Sequence, residues 1–469
     1  MSRCAAVFVA AVLAGILAFA WSKPAASQVP ALSPAMSAQI DAIGSDEIHS
    51  GRTPGLAIGV VKDGRLVYER GFGFSTIVPH HSMEPDTEFY TGGLTMQFTA
   101  AAILLLAQDG KLKLDDPVSK YLPNFKLGDG ITIAQLLTQT SGLPSLAAAR
   151  GISSDMTRPV SPSALLAAID KLRPSAPPGS AYANNLLNYL IAGAVVERAS
   201  GVTLSDYLEQ HVFIPLIMDH SFLAGDNGIS PDRATGYTRS GPEFAVAPMW
   251  DPSWLGGYGG LVSTIDDLAK WDIEMPVLLR IDAVRTMFTP GVTSGLTHYG
   301  MGWVIDRRGG KLFVWANGEI SGYRALNALL PDAHVGVIVL SNADSFHGRV
   351  TIPEEVGARI LDILVPPAVT HLDNAIVAKA KEWLGRLASR NIDREELTPS
   401  FSAYLTDDLV ARENFAALGQ LQYIVPLSST TESNGDTLYE FLVRYPRAQY
   451  HYRFQLAPDG KIDGITLVV

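Results

Sequence analysis

Cysteine is almost missing from this chain: Cys4 is the single thiol in 469 residues. An internal disulfide framework is therefore excluded, and so is a thiolate metal site. Runs of positive charge are missing too. Lys and Arg number 36 against 47 Asp and Glu, giving a formal net charge of -11 with no basic cluster. Neutralising a phosphate backbone needs clustered cations, so nucleic acid is not an expected partner. The ten histidines are scattered, with His80-His81 as the adjacent pair. No metal triad is readable, and neither a metal nor another cofactor is expected. Disorder-type composition is also absent, because hydrophobic residues make up 47% and charged residues 18%. The length points to two or three units, each able to bury a core.

What is there begins with a targeting segment. Arg3 supplies a positive start, and Cys4 to Trp21 is almost entirely apolar. Ala25-Ala26-Ser27 follows with small residues suited to signal peptidase, so residues 1–27 read as a signal peptide cut before Gln28. The alternative is an uncleaved anchor, since 18 apolar residues sit at the short limit for crossing a bilayer. Either way the chain is expected outside the cytoplasm, periplasmic or secreted, with membrane contact only if the segment is retained. Cleavage would also remove Cys4.

Beyond it, two regions are expected: residues 28–367, and a smaller α+β module over 370–469. Gly55 to Val61 and Arg65 to Gly71 flank Asp63-Gly64, a strong hairpin signal. Lys311 to Trp315, Arg324 to Leu330 and His334 to Ser341 read as three more strands. An antiparallel sheet joining both ends of the region around a helical body is the natural assembly. Gly93 to Asp109 is apolar around most of its circumference and predicts a buried helix. Ser161 to Leu172, Asn185 to Ala199 and Thr264 to Ile273 predict others. A helix opening at Pro353, with Glu354 and Glu355 in its first turn, leads to the break at Pro366-Pro367. In the module, Ile376, Val377, Ala380, Trp383, Leu384 and Leu387 form one helical face. Asp436 to Tyr445, Ala448 to Leu456 and Ile462 to Val469 read as strands.

Several stretches line up, in order, with one known family. They are Pro54-Gly55-Leu56-Ala57 through Gly71-Phe72-Gly73, Gln97-Phe98-Thr99-Ala100 with Lys111-Leu112-Lys113-Leu114-Asp115-Asp116-Pro117, and Leu136-Leu137-Thr138-Gln139-Thr140-Ser141-Gly142-Leu143-Pro144. Gly259-Gly260-Leu261-Val262-Ser263-Thr264 and Tyr299-Gly300-Met301-Gly302-Trp303 complete the set. Over residues 35 to 365 the chain resembles the serine hydrolases of the class C β-lactamase, DD-peptidase and esterase group. The resemblance implies an α+β fold: an antiparallel sheet flanked by helices, beside an all-helical lobe, with the active site between them. It also implies acyl transfer. A serine opening the buried helix attacks a carbonyl, a lysine three residues on takes the proton, a tyrosine relays it, and a cation on an edge strand holds the substrate carboxylate.

At those positions this chain departs. The frame set by Thr87, Phe89 and Gln97-Phe98-Thr99-Ala100 brings Gly93 to the nucleophile position and Met96 to that of the base. Gly93 has no hydroxyl, and Met96 has no proton-accepting nitrogen. No lysine in the chain has a serine three residues before it, and no Gly-x-Ser-x-Gly elbow exists. Anchored on Pro178-Gly179 and Asn188-Tyr189-Leu190, the tyrosine position falls on Asn184. A shifted reading, Tyr182-Ala183-Asn184, keeps the tyrosine at the cost of two compensating gaps. The third motif is Ala316-Asn317-Gly318, whose cation is gone. Thr91, Thr95, Ser141, Ser263 and Ser321 are substitute nucleophiles, and none has an activating lysine or histidine at helical spacing.

The sequence thus predicts a catalytically silent relative of these hydrolases. It would hold a peptide, cell-wall fragment, small carbonyl ligand or protein partner in the former cleft, around Gly93, Asn184, Asn317 and Gly318, or on the C-terminal module. The rival is a working hydrolase with relocated groups, Thr91, Thr95 or Tyr182 among them. A third possibility is a chain with no selected role. N-terminal sequencing of the exported product should start at Gln28; a product retaining residues 1–27 would show an anchor instead.

Overall fold

The computed structural model describes residues 32–145, 155–225, 230–241, 243–292, 298–344, 346–347, 350–366, 370–431, 435–446 and 449–468. The expected signal segment lies outside them. No helix among the described residues is long and apolar enough to cross a membrane.

The hairpin marked by Asp63-Gly64 forms as β1 (Gly55–Lys62) and β2 (Arg65–Thr76). Both turn residues take positive φ, 50° and 73°, which matches the right-handed twist of the strands they join. β3 (His81–Ser82) continues that edge. Far along the chain come β4 (His298–Tyr299), β5 (Val304–Arg308), β6 (Lys311–Ile320), β7 (Tyr323–Leu330) and β8 (Val335–Ser341). These eight make one sheet in the order β3-β2-β1-β8-β7-β6-β5-β4. β1 and β8 pair antiparallel from Leu56↔Ser341 to Lys62↔Val335, so the two ends of the region meet at the centre of the sheet.

Strand alternation divides the core between the two faces. Leu56, Ile58 and Val60 pack with Val335, Val337 and Val339 against α1 (Pro34–His49) and α5 (Ile352–Leu364). Ala57, Ile338 and Leu340 face the opposite way. They join the large core built by α2 (Thr95–Gln108), α3 (Leu186–Ser200) and α4 (Ile265–Leu278). α2 is buried from Thr95 through Leu104. α5 starts with a complete capping box, in which Thr351 and Glu354 satisfy each other's backbone N–H groups.

Residues 374–468 build a second core. Ala380, Trp383, Leu384 and Leu387 of α6 (Asn374–Ser389) pack on Phe441, Val443, Tyr450, Tyr452 and Phe454. The last five come from a four-stranded antiparallel sheet of β9 (Tyr423–Thr431), β10 (Thr437–Arg444), β11 (Gln449–Leu456) and β12 (Ile462–Val468).

One carboxyl is out of place between α4 and the main sheet. Asp272 Oδ1 accepts from Asn327 Nδ2 at 2.7 Å, while Oδ2 is sealed from water without a partner. Burial pushes its pKa up to about 8, and the Asn327 bond opposes this only in part. The folded state therefore holds a proton that the unfolded chain, with the ordinary value of 3.8, releases. This contribution is complete below the unfolded value and is lost as the pH rises toward about 8. Asp272→Asn should raise Tm more at pH 8 than at pH 5 in thermal melts. An equal shift at both would mean that Asp272 stays ionised.

Candidate active-site cleft

The positions singled out in the sequence converge at the start of α2. A short 3-10 turn, Gly92–Leu94, leads into that helix, and Gly93 is fully buried within it. β6 lies directly over the turn. A Cβ on Gly93 would stand 2.7 Å from the Asn317 carbonyl oxygen and 3.4 Å from Met96 Cε. The same contact is repeated on both sides. A Cβ on Gly92 would meet Glu319 N at 2.8 Å, and one on Gly318 would meet the Thr91 carbonyl oxygen at 1.8 Å. The sequence places a ligand around Gly93, Asn184, Asn317 and Gly318. The structure instead shows strand backbone over Gly93, because three glycines let the two segments approach to a distance no side chain permits.

Met96 is 7% exposed, and its sulfur is an acceptor. Gln139 Nε2 donates to it at 3.7 Å and the Tyr299 hydroxyl at 3.8 Å. A lysine at this place would offer only donors, so the substitution reverses the polarity required of its neighbours. Methionine also avoids a buried ammonium without a counter-charge.

Gln139 is the hub of the site. Its backbone is left-handed, φ 58°, which is uncommon for a residue other than glycine. Its Nε2 also reaches Asn184 Oδ1 at 3.3 Å, and its Oε1 accepts from Asn185 N at 3.0 Å and Asn188 Nδ2 at 2.5 Å. The Gln139 carbonyl accepts from Ala183 N at 2.9 Å. The extended stretch before α3 is thereby fixed residue by residue, and Asn185 then caps the helix. Gln139 and Tyr299 had been only landmarks in the sequence. The signal for Gln139 was a lone amide in the run Leu136-Leu137-Thr138-Gln139-Thr140.

Asn184 is exposed and Tyr182 is half-buried, and the structure brings both to this site. The Tyr182 ring packs on Tyr299 with centroids 5.5 Å apart. Burial pushes the Tyr182 pKa up to about 12. Tyr299, fully enclosed, is pushed higher still by burial and by Tyr189 and Tyr182 beside it. With no cation at 96 or 316 to pull them down, these phenols remain neutral O–H groups.

Ala316 is buried and the third motif, Ala316-Asn317-Gly318, carries no cation, while the Asn317 amide donates to Glu354 Oε1 on α5 at 2.9 Å. Burial raises the Glu354 carboxyl above its usual value, with Glu319 adding a smaller push the same way. Four of the five substitute nucleophiles are already engaged. Thr91 Oγ1 donates to the Leu261 carbonyl at 3.1 Å. Thr95 Oγ1 donates to the Gly92 carbonyl at 2.7 Å and accepts from Leu261 N at 3.0 Å. Ser141 Oγ donates to Asn188 Oδ1 at 2.5 Å, and Ser263 pairs with Ser221 at 2.8 Å. Ser321 lies half-buried in the turn after β6. Among the described residues no group of three His, Cys, Asp or Glu is placed to hold a metal.

Gly318→Ala tests the close approach. It should cost about 3 kcal/mol or more in chemical denaturation, the upper range for forced overpacking. An unchanged midpoint would show that β6 is free to withdraw.

Comparison with known proteins agrees with this architecture. The Beta-lactamase family model matches residues 35–358. Protein flp of Staphylococcus aureus strain MW2 is 26% identical over 350 residues, covering 72% of this chain; the chain spans 66% of the length of that relative. Among solved structures, an octameric penicillin-binding protein homologue from Pyrococcus abyssi superposes with a TM-score of 0.64 at 22% identity. It covers 92% of this chain and 99% of its own. D-amino acid amidase from Ochrobactrum anthropi gives 0.62 at 21% identity, covering 70% and 98%. At such identities these two establish a shared fold. The family match spans most of the chain, and with it the chain belongs to the β-lactamase family.

Proposed function

We propose that this chain is an exported, non-hydrolytic member of the family that binds a ligand at the rim of the former active site. The observation that carries the reading is the blocked nucleophile position. Any side chain at residue 93 would run into the Asn317 carbonyl oxygen, 2.7 Å from its Cβ. The base position supports it, since the Met96 sulfur is held by two donors. The bonds of four substitute groups speak against a relocated mechanism. Thr91, Thr95, Ser141 and Ser263 serve as structural hydrogen-bond groups, and the Tyr182 hydroxyl is held near a pKa of 12.

The rim keeps polar groups. Asn184 is exposed beside Tyr182, and both are steadied through Gln139 and Tyr299. A peptide, cell-wall fragment or small carbonyl compound fits these neutral donors. The solved relatives, named for penicillin binding and for D-amino acid amides, supply the first probes. Export rests on the N-terminal sequence pattern.

A serine-directed fluorophosphonate, a fluorescent penicillin and p-nitrophenyl esters should neither label the protein nor be turned over. Labelling that survives removal of contaminating hydrolases would end this reading. The double variant Gly93→Ser with Met96→Lys should also fail to acylate, because β6 occupies the space that the new side chain needs. Penicillin acylation of that variant would show that the strand yields.

A further inference from the structure

Among the described residues, one face of one strand of the C-terminal module bonds to the main region. In β11, Tyr450, Tyr452 and Phe454 point into the module's own core. The intervening Gln449, His451 and Arg453 point the other way and bond to β5 and α5. Gln449 Nε2 donates to Asp362 Oδ2 at 2.8 Å. His451 Nε2 lies 3.4 Å from Asp362 Oδ1. Arg453 pairs with Asp306 and donates to the Arg307 carbonyl. The contact is polar, and its centre is buried: His451 is 4% exposed and Arg308 7%.

We propose that this seam is an acid-released latch, with His451 as its trigger. The groups facing His451 come from four elements: Asp306 and Arg308 of β5, Asp362 of α5, Glu440 of β10, and Gln449 and Arg453 of its own strand. Two guanidiniums, Arg308 and Arg453, face three carboxylates, Asp306, Asp362 and Glu440, and both Asp362 oxygens are already taken. Asp362 Oδ1 takes Arg308 Nη2 at 2.7 Å, and its Oδ2 takes Gln449. Arg453 lies between Asp306 and Glu440, with Nε 3.5 Å from Glu440 Oε1. With Nε2–H turned to Asp362, the imidazole leaves Nδ1 bare, buried and without a partner. An added proton would land there as a donor with no acceptor, beside Arg308.

The electrostatics run the same way. Burial and the Arg308 guanidinium hold His451 below its ordinary 6.5, outweighing Asp362 and Glu440. Burial opposes ionisation of Asp362, but His451 and Arg308 keep its carboxyl below the usual value, so it stays charged. The docked module thus binds fewer protons at His451 than the released one. Docking is fully favoured above pH 6.5 and weakens as the pH falls below it. Asp306 acts in the opposite sense, since burial raises its carboxyl despite Arg453. His451→Gln leaves Asp306 in place, so the difference between that variant and the wild type reads His451 alone.

Calorimetry of the full chain at pH 7.5 and 5.5 reads the latch. At pH 7.5 the module should melt with the rest. At pH 5.5 a separate transition should appear about 4 °C or more lower, as expected when a domain of ~100 residues loses roughly a kcal/mol of support. His451→Gln, which keeps a donor toward Asp362, should give the same profile at both pH values. His451→Lys should show the split already at pH 7.5. A wild-type profile indifferent to pH overturns the proposal, and so does a His451→Gln variant that keeps the wild-type response. If neither variant folds, ¹³C NMR titration of the wild-type histidines decides: His451 should titrate below 6.5, and a value at or above that overturns the latch.

Discussion

The close approach of β6 to the turn before α2 governs the rest of the site. Gly318 rests on the Thr91 carbonyl, and the Asn317 carbonyl rests over Gly93. With backbone against backbone, a Cβ at residue 93 would stand 2.7 Å from the Asn317 carbonyl oxygen. Thr95 pins the turn from beneath through the Gly92 carbonyl and Leu261 N. The absence of a serine is thus part of the packing here, rather than the deletion of one hydroxyl from a waiting pocket.

The remaining substitutions follow from the electrostatics of a closed site. A buried ammonium is tolerated only with charged or strongly accepting partners, and losing one partner leaves the other costly. Met96 and Ala316 remove both cations together. What replaces them is a neutral network in which the Gln139 amide and the Tyr299 hydroxyl meet a thioether sulfur. Each of those donors is stronger than the acceptor it has found, so the arrangement is held by shape and burial more than by hydrogen-bond strength.

Much of this was legible in the sequence. The Asp63-Gly64 hairpin, the buried helix after Gly93 and the capped helix after Thr351 are all local signals, and local physics is what a sequence displays most directly. β6 was read as ending at Trp315 and in fact runs to Ile320. Asn317-Gly318 looks like a turn, yet Gly318 is there to let the strand touch Thr91. β5 escaped notice because Asp306, Arg307 and Arg308 look solvated, whereas Asp306 and Arg308 face partners more than 50 residues away in the chain. β9 carries Pro426, tolerable because it is an edge strand. That the singled-out positions lie together follows from the order of the motifs, but the close approach of β6 does not, since it depends on how two distant segments meet.

The alternation along β11 has an evolutionary side. Its inward face is aromatic and its outward face is Gln449, His451 and Arg453. A seam made of charge can part, or be lost through truncation of the gene, without uncovering an oily surface on either piece. Such a join is easily added to a fold and as easily removed. Domains fastened in this way can therefore be traded between lineages while the scaffold beneath them stays soluble.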